Sequence, residues 1–88
     1  MKVKQLICIG DIYAVHHGQY AGELLIYIKT CNGSHCFLAT PTMENREVPI
    51  ESFDLGRNSD IIKFVEKAPK YVVKISEAQY KNNENSNN

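Results

Sequence analysis

Gly10-Asp11-Ile12-Tyr13-Ala14-Val15-His16-His17-Gly18-Gln19-Tyr20-Ala21-Gly22 is the segment on which the reading of this chain turns. From Ile12 to His16 the side chains alternate, Tyr13 and Val15 on one side and Ile12 and Ala14 on the other, as a strand requires. Gly10-Asp11 turns the chain into that strand. Gly18 and Gly22 then bound an exposed connection whose backbone has to bend tightly. The apolar run Leu24 to Ile28 follows directly. A small β-rich module is expected, with its loops as the functional part.

Working outward, Asn32-Gly33 is the strongest turn signal, because both residues accept the positive φ angles of a two-residue type I′ hairpin. With these two as the loop, Glu23 to Thr30 returns as Ser34 to Thr40. Cys31 then faces Ser34, Thr30 faces His35, Lys29 faces Cys36 and Ile28 faces Phe37. That register puts Leu24, Ile26, Ile28, Phe37 and Ala39 on one face, which must be buried. Val3 to Ile9 reads as the first strand. Pro41 to Arg46 reads as a loop. Glu47 to Ile50 is at most a short edge strand, since Pro49 has no ladder N–H to give.

Beyond Gly56-Arg57-Asn58 the apolar period changes. Ile61, Ile62, Phe64, Val65 and Ala68 fall at helical spacing, Asn58 or Ser59 can cap, and Pro69 terminates, so the spacing predicts a helix over 59–68. Tyr71 to Ile75 is rich in β-formers and returns to the sheet, with a helix from near Lys70 to Tyr80 as the competing assignment. Residues 81–88, five of them asparagine, have little to bury and are expected to be a disordered tail.

The segment from Gly10 to Gly22 resembles the KOW motif of small SH3-like barrels in ribosomal proteins and transcription elongation factors. Gly10, Asp11, Tyr13, Val15, Gly18 and Gly22 fall on its pattern in order, whereas Leu25 and Ile26 stand where the family usually has a further glycine and a valine. The resemblance implies a mainly β fold: an SH3-like barrel over residues 1–80, with one C-terminal helix. Glu51-Ser52-Phe53 suits the single 3₁₀ turn that often precedes the last strand of such barrels. The resemblance also implies that the first loop, here His16, His17, Gln19 and Tyr20, touches RNA or a protein partner.

The chain has 88 residues and ten basic against ten acidic side chains, so no whole-molecule field draws it onto a polyanion. Charge is nevertheless uneven. Residues 30 to 60 carry Arg46 and Arg57 against Glu44, Glu47, Glu51, Asp54 and Asp60, while the stretch from 61 onward is richer in lysine. No apolar run approaches the ~18 residues of a membrane span, and three cysteines suit a reducing compartment, so a cytoplasmic location without a membrane partner is expected. Eight lysines to two arginines, with abundant asparagine and isoleucine, resemble the composition of small bacteriophage accessory proteins, which act on host components by binding.

Cys8, Cys31, Cys36, His16, His17 and His35 are the only residues suited to a metal. They lack the close cysteine pair of a structural zinc site, so no metal or cofactor is expected. No carboxylate pair is set apart as a general acid and base, and no catalytic residue is assigned. The expected function is therefore non-enzymatic binding. In the leading reading, Tyr20 and the imidazoles stack on bases of RNA or DNA. Lys29, Arg46, Arg57, Lys63, Lys67, Lys70 and Lys74 then meet phosphates, and the protein modulates a host nucleoprotein or nuclease. That reading requires Arg57 and the lysines from 63 to 74 to share a face with Tyr20. The alternative is a protein–protein inhibitor or assembly factor with no nucleic-acid contact, which is also open to self-association as a homo-oligomer.

Overall fold

Alternating burial from Asp11 to Val15, with Tyr13 and Val15 turned inward, makes this segment the first strand of the computed structural model, which describes residues 6–86. In chain order the elements are β1 (Asp11–Val15), β2 (Leu24–Cys31), β3 (Ser34–Thr40), β4 (Glu44–Pro49), α1 (Ile50–Asn58), β5 (Ile62–Lys67) and α2 (Lys70–Asn85). The strands form one antiparallel sheet in the order β4-β3-β2-β1-β5. The fold is thus mainly β. Among the described residues its sheet is open, because β4 and β5 are its two edges and no ladder joins them.

The β2–β3 hairpin turns at Asn32 (φ 52°) and Gly33 (φ 78°), and its first three pairs, Cys31 with Ser34, Thr30 with His35 and Lys29 with Cys36, follow the expected register. An irregularity between Tyr27 and Lys29 then shifts the pairing, so that Tyr27 and not Ile28 faces Phe37. Leu25 and Tyr27 therefore join Phe37 and Ala39 on one face, and Ile26 joins Cys36 and Leu38 on the other. The local sequence cannot resist this change of phase, because every residue from Leu24 to Ile28 is apolar. It costs little burial, because Leu25 and Ile26 are both buried.

Both faces are covered. On one, Phe53 of α1 sits at the centre of a cluster with Tyr13, Val15, Leu25, Phe37, Ala39 and Ile62. Phe37 and Phe53 are fully buried, and the Tyr13 ring meets Phe53 edge-on at 5.1 Å between centroids. Such pairs add stability beyond the area they bury. Burial also raises the Tyr13 pKa, the charged phenolate being the form that desolvation penalises. On the other face α2 packs across β2, β3 and β4. There Tyr80 and Ser76 are buried. Burial, with the Cys36 thiol as a further cause, pushes the Tyr80 pKa up.

Several expectations are corrected. Glu44 to Arg46, expected in a loop, begin strand β4, and Ile50, expected to end that strand, opens α1. Residues 59–68 hold no helix: Ser59 closes α1, with its Oγ donating to Leu55 O at 2.7 Å, and Ile62–Lys67 is strand β5 paired with β1. The β-branched residues of that stretch satisfy a strand as well as a helix, and β1 offers an unpaired edge. Gly56 belongs to this join, since a Cβ there would lie 2.8 Å from Ile62 Cδ1. Glu51-Ser52-Phe53 is part of the nine-residue helix α1, not a single 3₁₀ turn. Tyr71 to Ile75 is helical, and α2 continues through Lys81 to Asn85, within the expected disordered tail. Its asparagines find partners: Asn83 Nδ2 donates to Met43 O and to Asn45 Oδ1, each at 2.9 Å. Of the expected first strand Val3 to Ile9, residues 3–5 lie outside the described residues, and Leu6 to Cys8 are irregular, with Ile7 packed against the core.

Candidate docking groove

The open side of the sheet is where the features accumulate. The connection after β1 is held by Gly18 (φ 95°) and Gly22 (φ 94°), conformations that other residues resist, and by Gly22 N–H donating to Val15 O at 2.8 Å. It presents His17, Gln19 and Tyr20 along one wall of a cavity of about 530 Å³. Residues 45–49 of β4 form a second wall, and Ser52, Leu55 and Gly56 of α1 a third. Val15 and Leu25 reach it from the core, and Ile61 and Ile62 close it on the β5 side. The cavity thus occupies the gap between the two free edges, with α1 alongside. Leu55 is 69% exposed at its rim.

Its polar wall is built around Arg46. Opposite Phe37 in the register, Arg46 lies on the α1 face, where its guanidinium binds Glu23 twice, Nε to Oε1 at 3.1 Å and Nη2 to Oε2 at 2.8 Å. Nη2 also donates to Glu44 Oε1 at 3.0 Å, and the Tyr20 ring packs on the guanidinium at 4.3 Å. The Glu23 hydrogen bonds, reinforced by those to Glu44, hold the Arg46 pKa above its usual value. Arg46 is therefore neutralised within the chain and serves to fasten the loop to β4. Glu23 is a residue that sequence reasoning missed. The only signal was an acid placed at the start of an apolar strand, and its partner is distant in sequence.

The other expected binding residues are not gathered around Tyr20. His16 is exposed next to the groove, with its backbone N–H on Ile61 O at 2.7 Å. Lys29 lies with α2, 3.5 Å from Glu84 and 5.4 Å from the centre of the Tyr80 ring. Arg57 lies over the rings of Phe53 and Tyr13, at 5.3 and 5.8 Å. Lys63 pairs with Ala14 and so stands opposite the Tyr13 face. Lys67 reaches Asp11, 3.6 Å away, at the end of β1 far from the loop. Lys70 and Lys74 are exposed on α2. Only His17, Gln19, Tyr20 and Arg46 of the expected set meet at the cavity.

The thiols are separated as well. Cys8 and Cys31 are exposed and Cys36 is buried beneath α2. His35 packs edge-on against Phe53 at 5.0 Å, and its Nδ1 lies 2.6 Å from Thr30 Oγ1, which in turn meets Tyr27 Oη at 2.6 Å. Burial lowers the His35 pKa, outweighing the opposing pull of Asp54. Among the described residues no group of three or more His, Cys, Asp or Glu side chains is placed to hold a metal, and no helix is long and apolar enough to cross a membrane. Compared with protein-family models, with curated proteins and with solved structures, the chain matches none.

Proposed function

We propose that the chain is a non-enzymatic protein-binding module that takes a segment of a partner protein into the groove between the β1–β2 loop, β4 and α1. The observation that carries this reading is the mainly apolar groove in the gap of an open sheet, with exposed Leu55 on its rim and Arg46, the one lysine or arginine lining it among the described residues, already engaged by Glu23 and Glu44. Sites that take apolar side chains are concave and largely pre-formed. The four-strand meander, followed by a helical segment and a last strand that returns to β1, supports an SH3-like arrangement. The KOW-like loop, whose counterpart in that family touches RNA or protein, forms a wall of the groove. The phage-like composition favours a host protein as the partner, with inhibition or assembly as the outcome of binding.

Binding to RNA or DNA receives less support, because the lysines it needs are dispersed over other faces and net charge is zero. The test is selection of displayed random peptides on the full chain, with a mobility-shift titration against single-stranded RNA and DNA at two salt concentrations. Enriched peptides that lose at least about tenfold in affinity with Leu55→Arg, and no shift at low salt, are expected. Peptides indifferent to Leu55→Arg, no enrichment at all, or a nucleic-acid shift that collapses with salt would overturn the reading.

A further inference from the structure

The β4 edge has a definite hydrogen-bonding phase. Ile50 N–H donates to Gly33 O at 3.0 Å, which makes 33 and 50 a bonded pair of the β3–β4 ladder. In an antiparallel ladder bonded pairs recur at every second residue. The register, unbroken from Ser34–Pro49 to Ala39–Glu44, therefore assigns bonds to β3 from Val48, Arg46 and Glu44. The N–H and C=O of Asn45 and Glu47, and the C=O of Pro49, point away from β3 towards the gap. Pro49 sits where a missing N–H costs the ladder nothing. Asn45 O accepts a long 3.4 Å contact from Arg46 Nη1.

The opposite edge is protected. β5 carries an irregularity where β1 shifts between Ile12 and Tyr13, and it bears Lys63, Glu66 and Lys67. Bulges and charges of this kind discourage a further strand. β4 also bears charges, but Glu44 and Arg46 pair with each other, it has no such shift, and all its residues from Asn45 to Pro49 line the groove.

We infer that the partner segment, on the reading given above, binds as a sixth strand on β4: an extended, lysine- or arginine-flanked stretch of another protein that bonds Asn45 and Glu47 through its main chain. Strand addition draws affinity from the main chain and specificity from alternate side chains. One set of side chains enters the cavity against Val15, Leu25, Leu55 and Ile62. Basic flanks answer the exposed Glu47 and Glu51, in a stretch from 44 to 60 that holds five acids to two arginines. The segment would fill the gap between the two edges.

Two measurements on a peptide selected as above separate this mode from groove binding in general. Each backbone N–H of the peptide is methylated in turn, and the Glu47→Pro chain is compared with the natural one by isothermal titration and thermal melting. Methylation is expected to weaken binding at least about tenfold at every second position and little between. Glu47→Pro is expected to lose a similar factor at an unchanged melting midpoint, since its N–H serves no internal bond. Loss without a period of two, for a peptide still blocked by Leu55→Arg, overturns strand addition and leaves the groove reading standing. No peptide enriched overturns both. If Glu47→Pro unfolds, the methylation pattern decides alone.

Discussion

Removing the Glu23 carboxylate should destabilise the protein by about 3 kcal/mol. Glu23 and Arg46 are largely buried, at 11% and 15% side-chain exposure, and share two charge-assisted bonds. Breaking a buried pair by deleting one partner costs about 3–5 kcal/mol, because the other charge is left uncompensated. Here the low end applies, since Arg46 keeps Glu44 at 3.0 Å and the Tyr20 ring. Glu44 is 61% exposed, so water weakens what it can return. In a domain of this size each kcal/mol moves the melting midpoint by about 4–8 °C, so Glu23→Ala should melt roughly 12–24 °C lower. The assay is chemical and thermal denaturation of Glu23→Ala, Arg46→Met and the double variant. The double variant should fall short of the summed single losses by at least about 1 kcal/mol, because it leaves no orphaned charge. Additivity within about 0.5 kcal/mol, or an unchanged midpoint for Glu23→Ala, would refute the assignment of Arg46 as a fastening and return it to the pool of cations open to a ligand.

Gly18→Val should cost about 1–2 kcal/mol in chemical denaturation through backbone strain alone, as φ is 95° and no atom lies within 4 Å of the added Cβ; an unchanged midpoint would argue against the tight loop. For His35, burial depresses the folded-state pKa below the ordinary 6.5, so the folded protein disfavours its proton. Its contribution is full above pH 6.5 and is lost as the pH falls through the depressed value, with a slope of at most about 1.4 kcal/mol per pH unit. Urea midpoints measured between pH 7.5 and 5 should fall in the natural chain more than in His35→Phe, and equal slopes would count against a buried neutral imidazole.

What could be read from the sequence was local. Asn32-Gly33 dictates a turn by its own φ preferences, and the three pairs next to it followed. Two steps further, Leu24 to Ile28 offered five apolar residues in a row, so either phase of the strand buried a suitable set, and contacts beyond the hairpin chose. Ile61-Ile62-Lys63-Phe64-Val65 failed for the same reason, since its spacing fits a helix and its side chains a strand. The free edge of β1 decides between them, and β1 lies far upstream. The asparagines after Tyr80 looked inert until Asn83 had Met43 and Asn45 beside it. The groove was half legible. His17, Gln19, Tyr20 and Arg46 stood out as polar or aromatic residues at loops and edges, whereas the Glu23 pairing and the exposure of Leu55 exist only once the sheet is assembled.

The same distinction bears on function. A polyanion-binding surface needs cations summed over one face, and the register scatters them: strand pairing sends Lys63 to the side away from Tyr13, Asp11 takes Lys67, and α2 carries Lys70 and Lys74 across the sheet. A peptide-binding edge needs only a row of outward main-chain groups over an apolar floor, and β4 supplies both through its pairing phase. Pro49 fits this account twice. It ends the strand without a wasted donor, and it starts α1 at the position that brings Leu55 to the groove. A protected edge carries a bulge, as β5 does opposite Ile12 and Tyr13; β4 runs without one, and its Asn45 and Glu47 main-chain groups are left facing the gap.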